Sequence, residues 1–173
     1  MSEPAANVVR MIQEDRQPEV PSFEGFFEAE KQRLYRALCL ITRNRFEAEE
    51  ITQDAFVRVL ERWDRVSVME DPTGYLYVTA MNTFRKLHRR TALAAKRSIG
   101  TTPPDDELER IEATDAAIRA LATLSPRQRA AVVLVDLLGY RSEEAAKMLG
   151  LRAGTVRTHL ARGHGVLKET LER

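Results

Sequence analysis

Apolar residues recur every three or four positions through most of the chain, a spacing that predicts helices. Phe23, Phe27, Leu34, Leu38 and Ile41 share one face of a first segment that Ser22 is placed to cap. A second segment, about 46–63, carries Ile51, Ala55, Phe56, Val59, Leu60 and Trp63 as its apolar stripe. Asp71 followed by Pro72 starts a third, because proline fits the first turn, where its missing N–H costs nothing. That helix runs to about residue 97 with Tyr75, Leu76, Met81, Phe84 and Leu87 on its apolar side. The stretch GTTPPDD at 100–106 breaks the periodicity. A helix near 107–123 follows, and then Ser125-Pro126-Arg127-Gln128 supplies a cap, a first-turn proline and a capping-box glutamine. The helix it opens ends at Gly139. A short helix begins at Ser142 and closes at Gly150, and a last one opens at Ala153 or Gly154. The run VVLV at 132–135 sits inside a longer helical pattern, so no strand is expected. The chain is predicted to be all-α, with two small helical domains at 22–97 and 107–173. Residues 98–106 are the linker and 1–21, holding three of the seven prolines, are a loose tail.

Charge changes this picture. The net charge is only +1, but its distribution is uneven. Residues 1–84 carry fifteen acids and ten bases, whereas residues 85–102 carry six bases and no acid. Residues 145–168 hold five more bases and again no acid. Two basic islands on an acidic or balanced background point to two separate polyanion contacts.

The second island lies in RSEEAAKMLGLRAGTVRTHLARGHGVL, 141–167. A short helix, a glycine-containing turn and a second helix make a helix-turn-helix. On the second helix Val156, Leu160, Gly163 and Leu167 fall on one side. Thr155, Arg157, Thr158, Ala161, Arg162 and Gly165 fall on the other, flanked by His159 and His164. Small residues let such a helix approach a groove closely, and arginines reach phosphates or a guanine edge. The helix has no acid before Glu169. In the first half, Glu50, Gln53, Asp54, Val57 and Glu61 lie opposite the apolar stripe of 46–63. An exposed valine among acids and a glutamine is a mixed surface suited to docking a partner. The first island places Asn82, Arg85, Lys86, Arg89 and Arg90 on one helix. The asparagine can bond a base edge, the cations can hold a backbone, and Tyr75 and Tyr77 are candidate stacking groups.

In this order the motifs resemble the extracytoplasmic-function (ECF) group of the sigma-70 family, over about 22–172. FEAEEITQDAFVRVLERWDRV resembles the region 2 helix that grips the RNA polymerase clamp. DPTGYLYVTAMNTFRKLHRR resembles the segment that opens and reads the −10 element. LATLSPRQRAAVVLVDLLGYRSEEAAKMLGLRAGTVRTHLARG resembles region 4, the −35 reader. The resemblance implies a sigma factor that directs core polymerase to promoters, with the clamp and flap of the core and promoter DNA as partners and an anti-sigma factor as a further partner class. It implies a polymerase contact at Glu50, Gln53, Asp54 and Val57. Asn82, Arg85, Lys86, Arg89 and Arg90 would serve the −10 element, with the loop from Arg65 to Thr73 forming a pocket for a flipped base. Arg152, Thr155, Arg157, Thr158, His159, Arg162 and His164 would serve the −35 duplex. Three positions depart from the family pattern: Val135 stands where an arginine is frequent, Ala145 or Ala146 replaces an isoleucine, and Ala161 replaces a bulkier outward residue.

Other chemistry finds little support. Cys39 lies between Leu38 and Leu40 and reads as a buried helix thiol. The histidines lack acidic or cysteine partners for a metal, the carboxylates at 47–50 have no matching ligand cluster, and no phosphate-binding loop is present. No metal, cofactor or catalytic residue is expected. No apolar run is long enough to span a bilayer and the N-terminus lacks a secretory pattern, which reads as cytoplasmic. Two rivals stay open: a dimeric helix-turn-helix regulator that binds duplex without polymerase, and a helical adaptor that touches no DNA. Promoter sequence, inducing signal and oligomeric state are not legible in the residues.

Overall fold

A computed structural model describes residues 22–97 and 116–172, with side chains at 22–90 and 117–172. The expected linker, the N-terminal tail and the first part of the 107–123 helix lie outside the described residues. Among those described there are helices and no strands.

The first half is built from α1 (Phe23–Thr42), α2 (Arg45–Leu60), the single turn α3 (Trp63–Val66) and α4 (Pro72–Arg97). Ser22 caps α1 by accepting from the Gly25 N–H, and Asn44 caps α2 by accepting from that of Glu47. Asp71 Oδ1 accepts from the Gly74 N–H at 2.7 Å, which fixes the start of α4 beside Pro72. Leu34, Leu38, Ile41, Ile51, Ala55, Val59, Leu76 and Met81 are buried where α1, α2 and α4 meet. An aromatic group closes one end, with Phe27 edge-on to Phe56 at 4.8 Å and Phe26 against Trp63 at 5.1 Å. The expected 46–63 helix is therefore two pieces. The break turns Trp63 inward and leaves Leu60 half exposed, against its expected place in the stripe.

The second half contains α5 (Ala116–Ala122), α6 (Pro126–Val132), α7 (Ser142–Leu149) and α8 (Ala153–Leu171). The capping box at α6 forms as expected, between Ser125 and Gln128. α6 then widens into a π turn, Val133–Leu137, that periodicity did not disclose. Ser142 is the first residue of α7, as expected. Arg141 holds the cap position, and its N–H donates to the Glu144 carboxylate at 2.7 Å. Gly150 ends α7 at φ 61°, a left-handed conformation suited to glycine. At Gly163 a Cβ would come within 3.2 Å of Val132 Cγ2, so a small residue there lets α8 lie close on α6.

The two halves pack against each other, and three arginines hold the junction. Each donates to a carbonyl at the end of a helix or turn in the opposite half. Arg129, only 5% exposed, donates from Nε to the Ile41 carbonyl in the last turn of α1 at 2.9 Å, and from Nη1 to its own half's Leu124 carbonyl at 3.3 Å. Arg43 donates to the Ala122 carbonyl ending α5, and Arg33 to the Leu138 carbonyl beyond the π turn, both at 3.4 Å. Helix C-termini leave carbonyls unpaired and carry partial negative charge, so guanidinium groups satisfy both needs. Tyr77 packs on Tyr140 across the same junction, with ring centroids 5.5 Å apart. Arg129→Ala removes the donor to a buried carbonyl and is expected to cost about 2–3 kcal/mol. Urea unfolding measures this; a loss no greater than that of the exposed Arg127→Ala would contradict it.

Candidate nucleic-acid and polymerase interfaces

Three surfaces collect the residues singled out in the sequence. The first is the outer face of α2. Glu50, Gln53 and Val57 are exposed there, Val57 at 54%, and the line continues through the exposed Phe46 and Leu60. Asp54 sits differently. It turns toward α4, where its Oδ2 accepts from Thr83 Oγ1 at 2.6 Å and from Arg58 Nε at 2.8 Å. Partial burial raises its carboxyl, and those two hydrogen bonds outweigh that and hold it below the usual aspartate range. Asp54 thus ties α2 to α4, and the apolar Phe46 and Leu60, missed in the sequence, join the outer face instead.

The second surface is the basic side of α4. Arg85, Lys86, Arg89 and Arg90 are exposed and Asn82 is half buried. Arg85 donates to the Asn82 side-chain amide oxygen, Oδ1, so the pair is held together. Arg85 also lies against Gly150, where a Cβ would collide with its guanidinium. Arg85, Lys86 and Arg89 line a cleft of about 760 Å³ between the halves, with Pro126, Arg127, Leu149 and Leu151 on the far wall. Of the two candidate stacking groups, Tyr77 is fully buried and turned to Tyr140, which removes it from that role. Its position three, four and seven residues before Ala80, Met81 and Phe84 was a core signal in the sequence. Tyr75 is half buried at the cleft, its hydroxyl accepting from Arg62 at 3.2 Å. In the loop after α3, Val68 is 73% exposed and Met69 is also exposed.

The third surface is the outer face of α8. Val156, Leu160 and Gly163 are buried against α6 and α7, as expected. Arg152, Thr155, Arg157, Thr158, Ala161, Arg162, His164 and Gly165 are exposed. His159 is half buried; burial, with Arg127 and Arg162 nearby, pushes its imidazole below the usual range, so it is neutral at pH 7. Two acids from earlier elements reach this face. Glu143 of α7 pairs with Arg157 at 3.1 Å, and Asp136 of the π turn meets His164 Nε2 at 2.7 Å. Val135 is half buried, and Ala145 and Ala146 are buried under the turn. No group of three or more metal-ligating side chains occurs among the described residues, and no helix among them is long and apolar enough to cross a membrane.

Comparison with known proteins divides the chain in the same way. Residues 26–93 match Sigma-70 region 2, and residues 114–163 match Sigma-70, region 4. The RNA polymerase sigma-E factor of Streptomyces avermitilis is 30% identical over 156 residues, covering 89% of this chain and 87% of that protein. The ECF RNA polymerase sigma factor SigE of Mycolicibacterium smegmatis is 30% identical over 171 residues, covering 90% of this chain. This chain spans 63% of that relative's length. The chain belongs to the ECF group of the sigma-70 family. As a sigma factor of this group it directs core RNA polymerase to promoters at transcription initiation, with core and promoter DNA as its partners. The sigma factor RpoE, solved in complex with the anti-sigma factor NepR from Bartonella quintana, has the same fold. Its TM-score is 0.68 at 21% identity, covering 87% of this chain and 96% of that one. CnrH, solved with the cytosolic domain of CnrY, aligns at TM-score 0.58 and 22% identity over 87% of each chain.

The Asp54 hydrogen bonds give region 2 of this sigma factor a pH signature. A carboxyl held below its unfolded value stabilises the fold at neutral pH, and the contribution is lost as pH falls through the depressed value. Asp54→Asn is expected to cost about 1 kcal/mol at pH 7, with the difference from the parent shrinking once the parent's own carboxyl protonates. Denaturant midpoints at pH 7 and at strongly acidic pH check this; a difference that grows in acid would contradict it.

Proposed function

We propose that residues 22–97 and the helices from Ala116 onward are two modules that read two promoter elements while core polymerase holds them in register. The outer face of α2, with Gln53 and Val57 at its centre, Glu50 beside them and Phe46 and Leu60 at its ends, docks on the clamp. An exposed apolar line rimmed by acids is the composition of such a docking surface. Asn82 with Arg85, Lys86, Arg89 and Arg90 serves the −10 element, and the exposed loop bearing Val68 and Met69 receives an extruded base. The outer face of α8 serves the −35 duplex through Arg152, Thr155, Arg157, Thr158 and Arg162. His159, half buried beside Arg162, offers a hydrogen-bonding ring at the same face.

The observation that carries this reading is the geometry of α8. Its inward residues are locked on α6 and α7, and its outward residues are small or cationic and exposed. On the −10 side the cations face the cleft against α7 and the Gly150 turn, so separation of the two modules on core polymerase exposes them. The acidity of α2 is a second reason for weak binding of the free chain to DNA. The chain supplies no catalysis of its own; unstacking at the −10 element costs a few kcal/mol per step and is offset by contacts to the extruded bases. An anti-sigma factor is a further partner, supported by the bound inhibitor of the structurally similar RpoE. The chain acts in the cytoplasm, where core polymerase is.

Arg157→Glu is expected to abolish transcription that depends on the −35 element while leaving core affinity unchanged. Val57→Glu is expected to lower core affinity roughly ten-fold or more with the fold intact. Run-off transcription and a core-binding titration separate the two, and loss of core binding in Arg157→Glu would contradict the division of labour.

A further inference from the structure

The outer face of α8 carries no acid of its own before Glu169, yet two carboxylates reach it from neighbouring elements. Glu143 stands in the first turn of α7 and pairs with Arg157, near the start of α8. Asp136 stands in the π turn that ends α6 and bonds His164, seven residues further on. At a rise of about 1.5 Å per residue the two points are about 10 Å apart along α8. Arg157, Thr158, Ala161 and Arg162 lie exposed between them. The acids thus bracket the face at both ends. Neither lies on α8, and they come from separate elements.

We propose that Glu143 and Asp136 are specificity-determining residues that lower the affinity of this face for duplex lacking the promoter sequence; the proposal rests on α8 being the −35 reader. The physical basis is a difference between two targets. A phosphate is a full anion that must displace the Glu143 carboxylate from Arg157, or approach the Asp136 carboxylate beside His164, and then remain next to it. A guanine edge offers two acceptors, O6 and N7, and no net charge, so a nearby carboxylate repels it far less. A carboxylate at each end of the face therefore penalises backbone contacts more than base contacts. The pairs suit this use because they are exposed and weak. Glu143 and Arg157 are 61% and 60% exposed, so the arginine is held but not sequestered. Backbone contacts dominate non-specific binding, which makes them the contacts to suppress in a protein that searches for one sequence.

The test uses the full-length chain without polymerase and two fluorescent duplexes of equal length. One carries the −35 element recovered by run-off selection and the other a scrambled sequence. Anisotropy titrations across a salt series compare the parent with Glu143→Gln, Asp136→Asn and Glu143→Asp. One added phosphate contact multiplies affinity about five-fold at 0.15 M salt and steepens the salt slope by about 0.9. Glu143→Gln, which frees the Arg157 guanidinium, is expected to tighten scrambled-duplex binding by that factor, and Asp136→Asn, which removes a nearby anion without freeing a fixed cation, by a smaller one. The −35 duplex gains less, so the ratio of the two affinities falls, and Glu143→Asp, which keeps the charge, retains the parent ratio. Unchanged or weaker binding of the scrambled duplex by both charge-removing variants, with thermal midpoints preserved, overturns the proposal. An equal gain on both duplexes also overturns it. Arg157→Glu, run alongside, separates the two levels: if it leaves both affinities unchanged, the α8 face is not the DNA reader and the underlying reading fails.

Discussion

Helix and turn ends meet at the junction between regions 2 and 4, and helix-end carbonyls have no partner within their own helices. Arg129, Arg43 and Arg33 supply the donors, each from the half opposite to the carbonyl it serves. Such contacts involve no carboxylate. They are also directional, because a guanidinium must meet a carbonyl lone pair to bond it. They add direction to one apolar core that runs through both halves, and α4 lies at the seam. Its buried side carries Tyr77, Ala80 and Met81, and its basic side lines the cleft.

That arrangement treats the two basic faces differently. The outer face of α8 is open to solvent, while Arg85 is pressed on the Gly150 turn and looks with Lys86 and Arg89 across a cleft at α6 and α7. The first face is therefore open and the second partly covered.

Much of this was legible in the sequence, for identifiable reasons. The helices were announced by period and by their caps, since Ser22, Asp71-Pro72 and Ser125-Pro126 act locally. The inward and outward sides of α8 followed from 100° steps alone. What stayed hidden depended on partners distant in sequence. Arg129 lies in SPRQR, a stretch that reads as solvated, and only the approach of α1 makes it a buried donor. Asp54 belongs by period to the outer face of α2, and only the approach of α4 gives it the Thr83 hydroxyl as a partner. Leu60 and Trp63 were read as one stripe because a break of two residues leaves the period nearly intact. The π turn was invisible because VVLVDLL satisfies either winding, and with it went the acid that meets His164.

The central claim is that two modules read two separated promoter elements while held by one enzyme. Run-off transcription by core polymerase and this chain, on a template library randomised across the promoter, tests it most directly. The expected result is two conserved blocks at one fixed separation upstream of each start site, and no specific transcript without the chain. Selected templates carrying one block, or two at freely varying separation, would contradict it.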